Sequence, residues 1–65
     1  MREKLQAVIE KLHALEAALA DAAHENARAG GFISISVSLG NLELNLRDVR
    51  LRLAQTVSLI QTASK

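Results

Sequence analysis

The segment from Phe32 to Leu46 alternates apolar and polar residues with a period of two, interrupted only at Gly40-Asn41. Side chains of a β-strand point alternately to opposite faces, so this alternation is typical of a strand with one apolar and one solvated face. A Gly-Asn pair between two such runs predicts a two-residue turn, because hairpin turns need positive φ and these residue types tolerate it. The sequence therefore predicts an antiparallel β-hairpin over 32–46.

The predicted turn brings residues of like polarity opposite each other, and a slip of one residue would reverse the two faces. The apolar face would consist of Ile33, Ile35, Val37, Leu39, Leu42, Leu44 and Leu46, and the polar face would begin with Ser34, Ser36 and Ser38. A two-stranded ribbon has unpaired backbone donors and acceptors on both edges, and no Pro or Lys protects them here. We therefore expect edge-to-edge pairing between subunits.

Residues 3–28 have the composition of a helix, since they are rich in Ala, Leu, Glu and Lys and contain neither Gly nor Pro. Apolar residues recur three and four apart, which is typical of a coiled-coil seam. The seam consists of Leu5, Val8, Leu12, Leu15, Leu19 and Ala22. Asn26 takes the next seam position, where a polar residue can set the register. Gly30-Gly31 predicts the helix end, because a left-handed cap favours glycine.

Residues 46–64 fit two secondary structures. In a helix, their apolar residues would lie within one narrow arc around the axis, which consists of Leu46, Val49, Leu53, Val57 and Ile60. In a strand, they would continue the alternation of the hairpin. The fold would then be the N-terminal helix plus a three-stranded antiparallel meander. We favour a helix over 47–63, because the arc runs along the whole segment whereas the alternation fails at Gln55. Leu51 and Leu59 then lie off the arc and indicate a second contact surface.

The predicted fold class is α+β in one small domain over 1–65, with a long N-terminal helix (3–28), a β-hairpin (32–46) and a C-terminal helix (47–63). A chain of 65 residues buries only about 60% of the surface that it exposes when unfolded. There is no Cys, so no disulfide compensates for the small core. Since 49% of the residues are apolar, we expect a homo-oligomer.

Catalytic and metal-binding chemistry has little support in the sequence. Nucleophilic catalysis is not expected, because Cys is absent and the serines of the predicted strand have no nearby histidine in sequence. Glu10-x-x-His13 and Asp21-x-x-His24 have the i, i+3 spacing of metal sites in helical bundles. These pairs are ~16 Å apart along a helix, too far to share an ion. We interpret them as a solvated helix face, and expect no enzyme activity, no cofactor and no metal.

The only basic cluster consists of Arg47, Arg50 and Arg52, which are candidates for contact with phosphate or another anion. In the alternative interpretation, the cluster belongs to a solvated face, where nearby acidic residues balance its positive charge. The net charge of +1 and the single aromatic residue, Phe32, make nucleic acid an unexpected partner. No apolar run approaches the ~20 residues that span a bilayer. We expect a cytoplasmic protein whose partner is a second copy or another protein.

A set of short segments lies between residues 37 and 54: Val37-Ser38-Leu39, Leu42-Glu43-Leu44, Asp48-Val49-Arg50-Leu51 and Leu53-Ala54. In these segments and their spacing the chain resembles the gas vesicle structural protein family. In that family, small subunits run helix, strand, strand, helix and polymerise through the ribbon into a protein shell. The resemblance implies the same order of elements here, and self-assembly through the hairpin.

The sequence as a whole predicts a non-catalytic homo-oligomeric structural or assembly protein that associates through the helix seam, the ribbon edges or both. Three alternatives stay open: a gas-vesicle-like shell subunit, a small adaptor or inhibitor that binds another protein, and a nucleic-acid-associated accessory that uses the three arginines. The predicted interface residues are Leu5, Val8, Leu12, Leu15, Leu19, Ile33, Ile35, Val37, Leu42, Leu44, Leu51 and Leu59.

Overall fold

A computed structural model describes residues 1–63 and shows two α-helices. Helix α1 spans Arg2–Arg28 and helix α2 spans Ile33–Ala63. The chain reverses between them through residues 29–32, so that the two helices form an antiparallel hairpin. The molecule is a narrow rod with extents of 53 × 15 × 10 Å.

The predicted β-hairpin over 32–46 is wrong, and with it the α+β fold class and the alternative three-stranded meander. Residues 33–63 form one continuous helix, and no strand occurs within residues 1–63. Gly40-Asn41 lies inside α2 and makes no turn. Across the described chain, Gly30 is the only residue with positive φ.

The helix forms because residues 35–53 also carry a helical apolar pattern. Apolar residues recur four and three apart at Ile35, Leu39, Leu42, Leu46, Val49 and Leu53, which is the spacing of one helix face. An isolated two-stranded ribbon is at best marginally stable in water. A helix satisfies its own backbone hydrogen bonds and packs along the full length of α1. These gains exceed the cost of Gly40 in a helix, about 1 kcal/mol relative to Ala.

Helix α1 ends in a Schellman motif at the predicted glycine pair. Gly30 has a φ of 73°, in the left-handed region that favours glycine. Its backbone N–H donates to the carbonyl of Ala27 at 3.2 Å, and the N–H of Gly31 donates to the carbonyl of Asn26 at 2.9 Å. These two hydrogen bonds satisfy carbonyls at the end of the helix and turn the chain towards α2.

The two helices meet along residues that are less exposed than their neighbours and are spaced alternately three and four apart. On α1 these contact residues are Leu5, Ile9, Leu12, Glu16, Leu19, Ala23 and Asn26; on α2 they are Ser36, Leu39, Glu43, Leu46, Arg50, Leu53, Val57 and Ile60. Among the described residues, only Glu16 and Val57 are classed as buried, with 4% and 9% exposure. The single hairpin therefore lacks a closed hydrophobic core.

Candidate functional site

The hairpin has a polar edge, where one side of α1 meets one side of α2. We define it by Gln6, His13, Arg47 and Gln61, each of which directly follows a contact residue in the sequence. Gln6 and Gln61 line the same shallow depression beside Val57, so these positions of the two helices lie on one side of the hairpin. Arg47 reaches across to Glu16 on the partner helix.

The opposite side of the hairpin is an apolar edge, which consists of Val8, Leu15 and Ala22 on α1 and Ile35, Leu42 and Val49 on α2. Each of these residues directly precedes a contact residue, so helical periodicity turns it to the side away from the polar edge. Residues seven apart lie nearly two turns from each other, and each set therefore forms a line along its helix. The large side chains of the apolar edge are about half exposed, from 43% at Val8 to 53% at Leu15. No charged residue interrupts either line.

A carboxylate bound by arginine lies at the centre of the helix contact. Arg50 Nε donates to Glu16 Oε2 at 2.6 Å, and Arg50 Nη2 donates to Glu16 Oε1 at 3.2 Å. Arg47 Nε lies 3.7 Å from Glu16 Oε1, and Arg47 Nη2 donates to Glu43 Oε2 at 3.1 Å. This arrangement fixes the axial position of α1 relative to α2, because a bidentate arginine pair requires a specific geometry.

The same hydrogen bonds set the ionisation of Glu16. The hydrogen bond from Arg50 holds the pKa of the Glu16 carboxyl below its ordinary value, and the charges of Arg50, His13 and Arg47 act in the same direction. Removal from water opposes them, but the net shift is downward. The hydrogen bond to Glu16 likewise raises the pKa of Arg50. Both groups are therefore charged at neutral pH.

Asn26 fixes the loop end of the hairpin. Its Nδ2 donates to the carbonyl of Phe32 at 2.9 Å and to Ser36 Oγ at 2.8 Å. Ser36 Oγ in turn donates to the carbonyl of Ala23 at 3.0 Å. The cluster ties the start of α2 to the end of α1, and Asn26 thus acts on register between the helices of one chain.

The three predicted anion-binding arginines do not form one surface. Arg47 and Arg50 both contact Glu16, while Arg52 Nη2 pairs with Asp48 Oδ2 at 3.0 Å. Arg52 lies about 200° around α2 from Arg50, since each residue turns the helix by about 100°. Each arginine already has a carboxylate partner within the chain, which leaves little net charge for an external anion.

The predicted interface residues fall into four groups. Leu5, Leu12 and Leu19 are half-buried against α2; Val8, Leu15, Ile35 and Leu42 belong to the apolar edge; Val37, Leu44 and Leu51 form a separate line that we call the outer stripe; and Ile33 and Leu59 are largely exposed. The sequence seam thus combines three leucines that contact α2 with the apolar edge of α1. Sequence reasoning missed Glu16 as a contact residue, because Val8 and Leu15 fit the same spacing and placed Glu16 beside the seam.

Residues 1–63 contain no group of three or more His, Cys, Asp or Glu side chains that could hold a metal ion. Neither α1 nor α2 is long and apolar enough to cross a bilayer.

No protein-family model matches the chain, and no curated protein or solved structure is significantly similar to it.

Proposed function

We propose that this is a non-catalytic, homo-oligomeric assembly protein whose helical hairpins associate through their exposed apolar residues. The observation that carries the proposal is the distribution of large hydrophobic side chains. Within residues 1–63, Val57 is the only buried hydrophobic residue, whereas twelve large hydrophobic residues are exposed. Exposed apolar surface in continuous lines is typical of protein–protein interfaces.

The dimensions of the single chain support association. Its radius of gyration is 15.3 Å, whereas a compact domain of this length has about 11 Å. Its accessible surface is 5035 Å², against about 4,000 Å² for a folded monomer of this mass. The excess of about 1,000 Å² is close to the ~800 Å² that each partner buries in an interface of standard size. One partner would therefore bring the exposed surface to that of an ordinary folded protein.

The polar residues of the hairpin support a structural role. The side chains of Glu16, Arg50, Asn26 and Ser36 make hydrogen bonds that hold the two helices together. Association through ribbon edges is not possible, because residues 33–63 are helical. Helix faces are then the surfaces through which the chains meet.

Sedimentation equilibrium over a hundredfold range of protein concentration tests the proposal. We expect the mass to rise above the 7.0 kDa of one chain as concentration increases, and the thermal unfolding midpoint to rise with it by mass action. A constant mass of one chain, with a midpoint independent of concentration, would reject self-association and favour the adaptor alternative.

A further inference from the structure

We infer that a second copy of this chain covers the apolar edge, so that two hairpins form a four-helix bundle. The inference rests on the proposed function and names the surface that performs it. The apolar edge faces the partner, and the polar edge stays on the outside of the bundle.

The apolar pattern of each helix suits two neighbours better than one. On α1 a continuous line with alternating spacing of three and four contains Leu5, Val8, Leu12, Leu15, Leu19 and Ala22; on α2 the equivalent line contains Ile35, Leu39, Leu42, Leu46, Val49 and Leu53. Alternate members of each line belong to the helix contact and to the apolar edge. In a four-helix bundle every helix has two neighbours and needs an apolar face of this width. The single hairpin uses only half of each line.

The charges also favour the apolar edge over the polar edge. A second copy on the polar edge would cover Arg47 and His13 and the open side of the Glu16 site, and buried charges without matched partners are costly. A second copy on the apolar edge would cover no charged side chain of the edge itself. The Arg47–Glu43 pair then stays beside the solvent-exposed polar edge, and the Glu16–Arg50 pair keeps the contacts that it makes within the hairpin.

The partner is a second copy because the apolar edge is complementary to itself. A two-fold dimer uses the same patch on both subunits, and this patch has no charge that would meet its own copy. Both helices contribute to it, so it is two helices wide. The surface excess of about 1,000 Å² is of the size that one such contact buries.

The outer stripe is the competing surface and provides a matched control. Val37, Leu44 and Leu51 are exposed to 54%, 55% and 52%, as much as the apolar edge. They come from α2 alone, whereas both helices contribute to the apolar edge. A single line of exposed apolar residues is common on protein surfaces and does not by itself indicate an interface.

Alanine variants of matched leucines test the inference. Leu15→Ala and Leu42→Ala shorten the apolar edge, and Leu51→Ala and Leu44→Ala shorten the outer stripe by the same side-chain atoms at nearly equal exposure. Alanine keeps high helix propensity, so all four chains can form the hairpin. Sedimentation equilibrium gives the Kd of the dimer, and circular dichroism reports the helix content of the associated form.

We expect each apolar-edge variant to raise the Kd at least about tenfold, because the lost contact occurs in both subunits, and each outer-stripe variant to change it by less than about twofold. Equal effects from the two pairs, or larger effects from Leu44→Ala and Leu51→Ala, would overturn the inference while self-association of the parent chain stood. A parent chain that stayed monomeric would overturn the proposed function itself.

Discussion

The polar edge and the apolar edge of the hairpin differ in the interactions that their side chains make. The polar edge lies beside the Glu16–Arg50 and Arg47–Glu43 pairs, which satisfy each other within one chain. The apolar edge leaves Leu15, and its neighbours along both helices, about half exposed. Polar contacts of this kind contribute little net stability but define geometry, whereas burial of apolar surface drives folding and association. The hairpin thus sets its register with polar contacts and leaves much of its apolar surface exposed.

The largest expected effect comes from a charge placed among the leucines of α1 that contact α2. Leu12→Asp and Leu19→Asp each place a carboxylate among half-buried leucines that contact α2 and adjoin the apolar edge. We expect a loss of stability of about 3 kcal/mol or more, since an unpaired charge is costly to bury. Ala14→Asp, at an exposed position of α1, is the control and should cost less than about 1 kcal/mol. Urea unfolding followed by circular dichroism measures all three; similar losses at positions 12 and 14 would show that Leu12 contributes no apolar contact.

The second prediction concerns the loop end, where polar contacts fix the hairpin. A Cβ at Gly31 would overlap Asn26 Oδ1, whereas a Cβ at Gly40 would meet nothing within 4 Å. Gly31→Ala should displace the Asn26 side chain from Phe32 and Ser36, and so cost about 1–3 kcal/mol. Gly40→Ala should instead stabilise α2 by up to about 1 kcal/mol. Thermal unfolding of the two variants should therefore shift in opposite directions; a stabilised Gly31→Ala chain would mean that the Asn26 contacts do not hold the loop.

The third prediction is a dependence of stability on pH at the Glu16 site. The pKa of Glu16 is lowered in the folded chain, chiefly by the hydrogen bond from Arg50. The folded state therefore binds this proton less readily than the unfolded state, where the pKa is about 4.3. The stabilisation is present above that pH and is lost as pH falls through the folded value.

Thermal midpoints measured from neutral to acidic pH check this prediction. On acidification the thermal unfolding midpoint of the parent chain should fall further than that of Glu16→Gln, because the variant has no carboxylate at this position to protonate. Parallel pH profiles for the two chains would contradict the role given to the Glu16–Arg50 pair.

The smallest effect is expected at the surface pair of Arg52 and Asp48. Both side chains are mostly exposed, with the Arg52 side chain 76% accessible, and solvent-exposed ion pairs contribute about 0–1 kcal/mol. Arg52→Gln should therefore leave the unfolding free energy within about 0.5 kcal/mol of the parent and leave the Kd of the dimer unchanged. A large change in either quantity would place Arg52 at an interface.

Local sequence signals predict the first half of this chain well. The helix over 3–28 follows from composition and spacing, and its end follows from Gly30, where the backbone adopts positive φ. The seam identifies the leucines of α1 that contact α2 but omits Ile9. It also places the polar residue Asn26 at the position where its side chain links the two helices.

The second half carries two periods at once, which is why its fold was wrongly predicted. Residues 33–46 alternate like a strand, yet Ile35, Leu39 and Leu42 also fall on one helix face. The choice between them depends on packing against α1, which offers a long helix a contact along its full length. Glu16 was missed for a related reason, since its partner Arg50 lies 34 positions further along the chain.

The central claim is that two hairpins meet through their apolar edges. A measurement of contacts between subunits tests it most directly. In a dimer formed from isotope-labelled and unlabelled chains, isotope-filtered nuclear Overhauser spectra report only methyl contacts that cross the interface. We expect such contacts from the methyl groups of Leu15, Leu42 and Val49 on the apolar edge. Intersubunit contacts confined to Val37, Leu44 and Leu51 of the outer stripe would contradict the account.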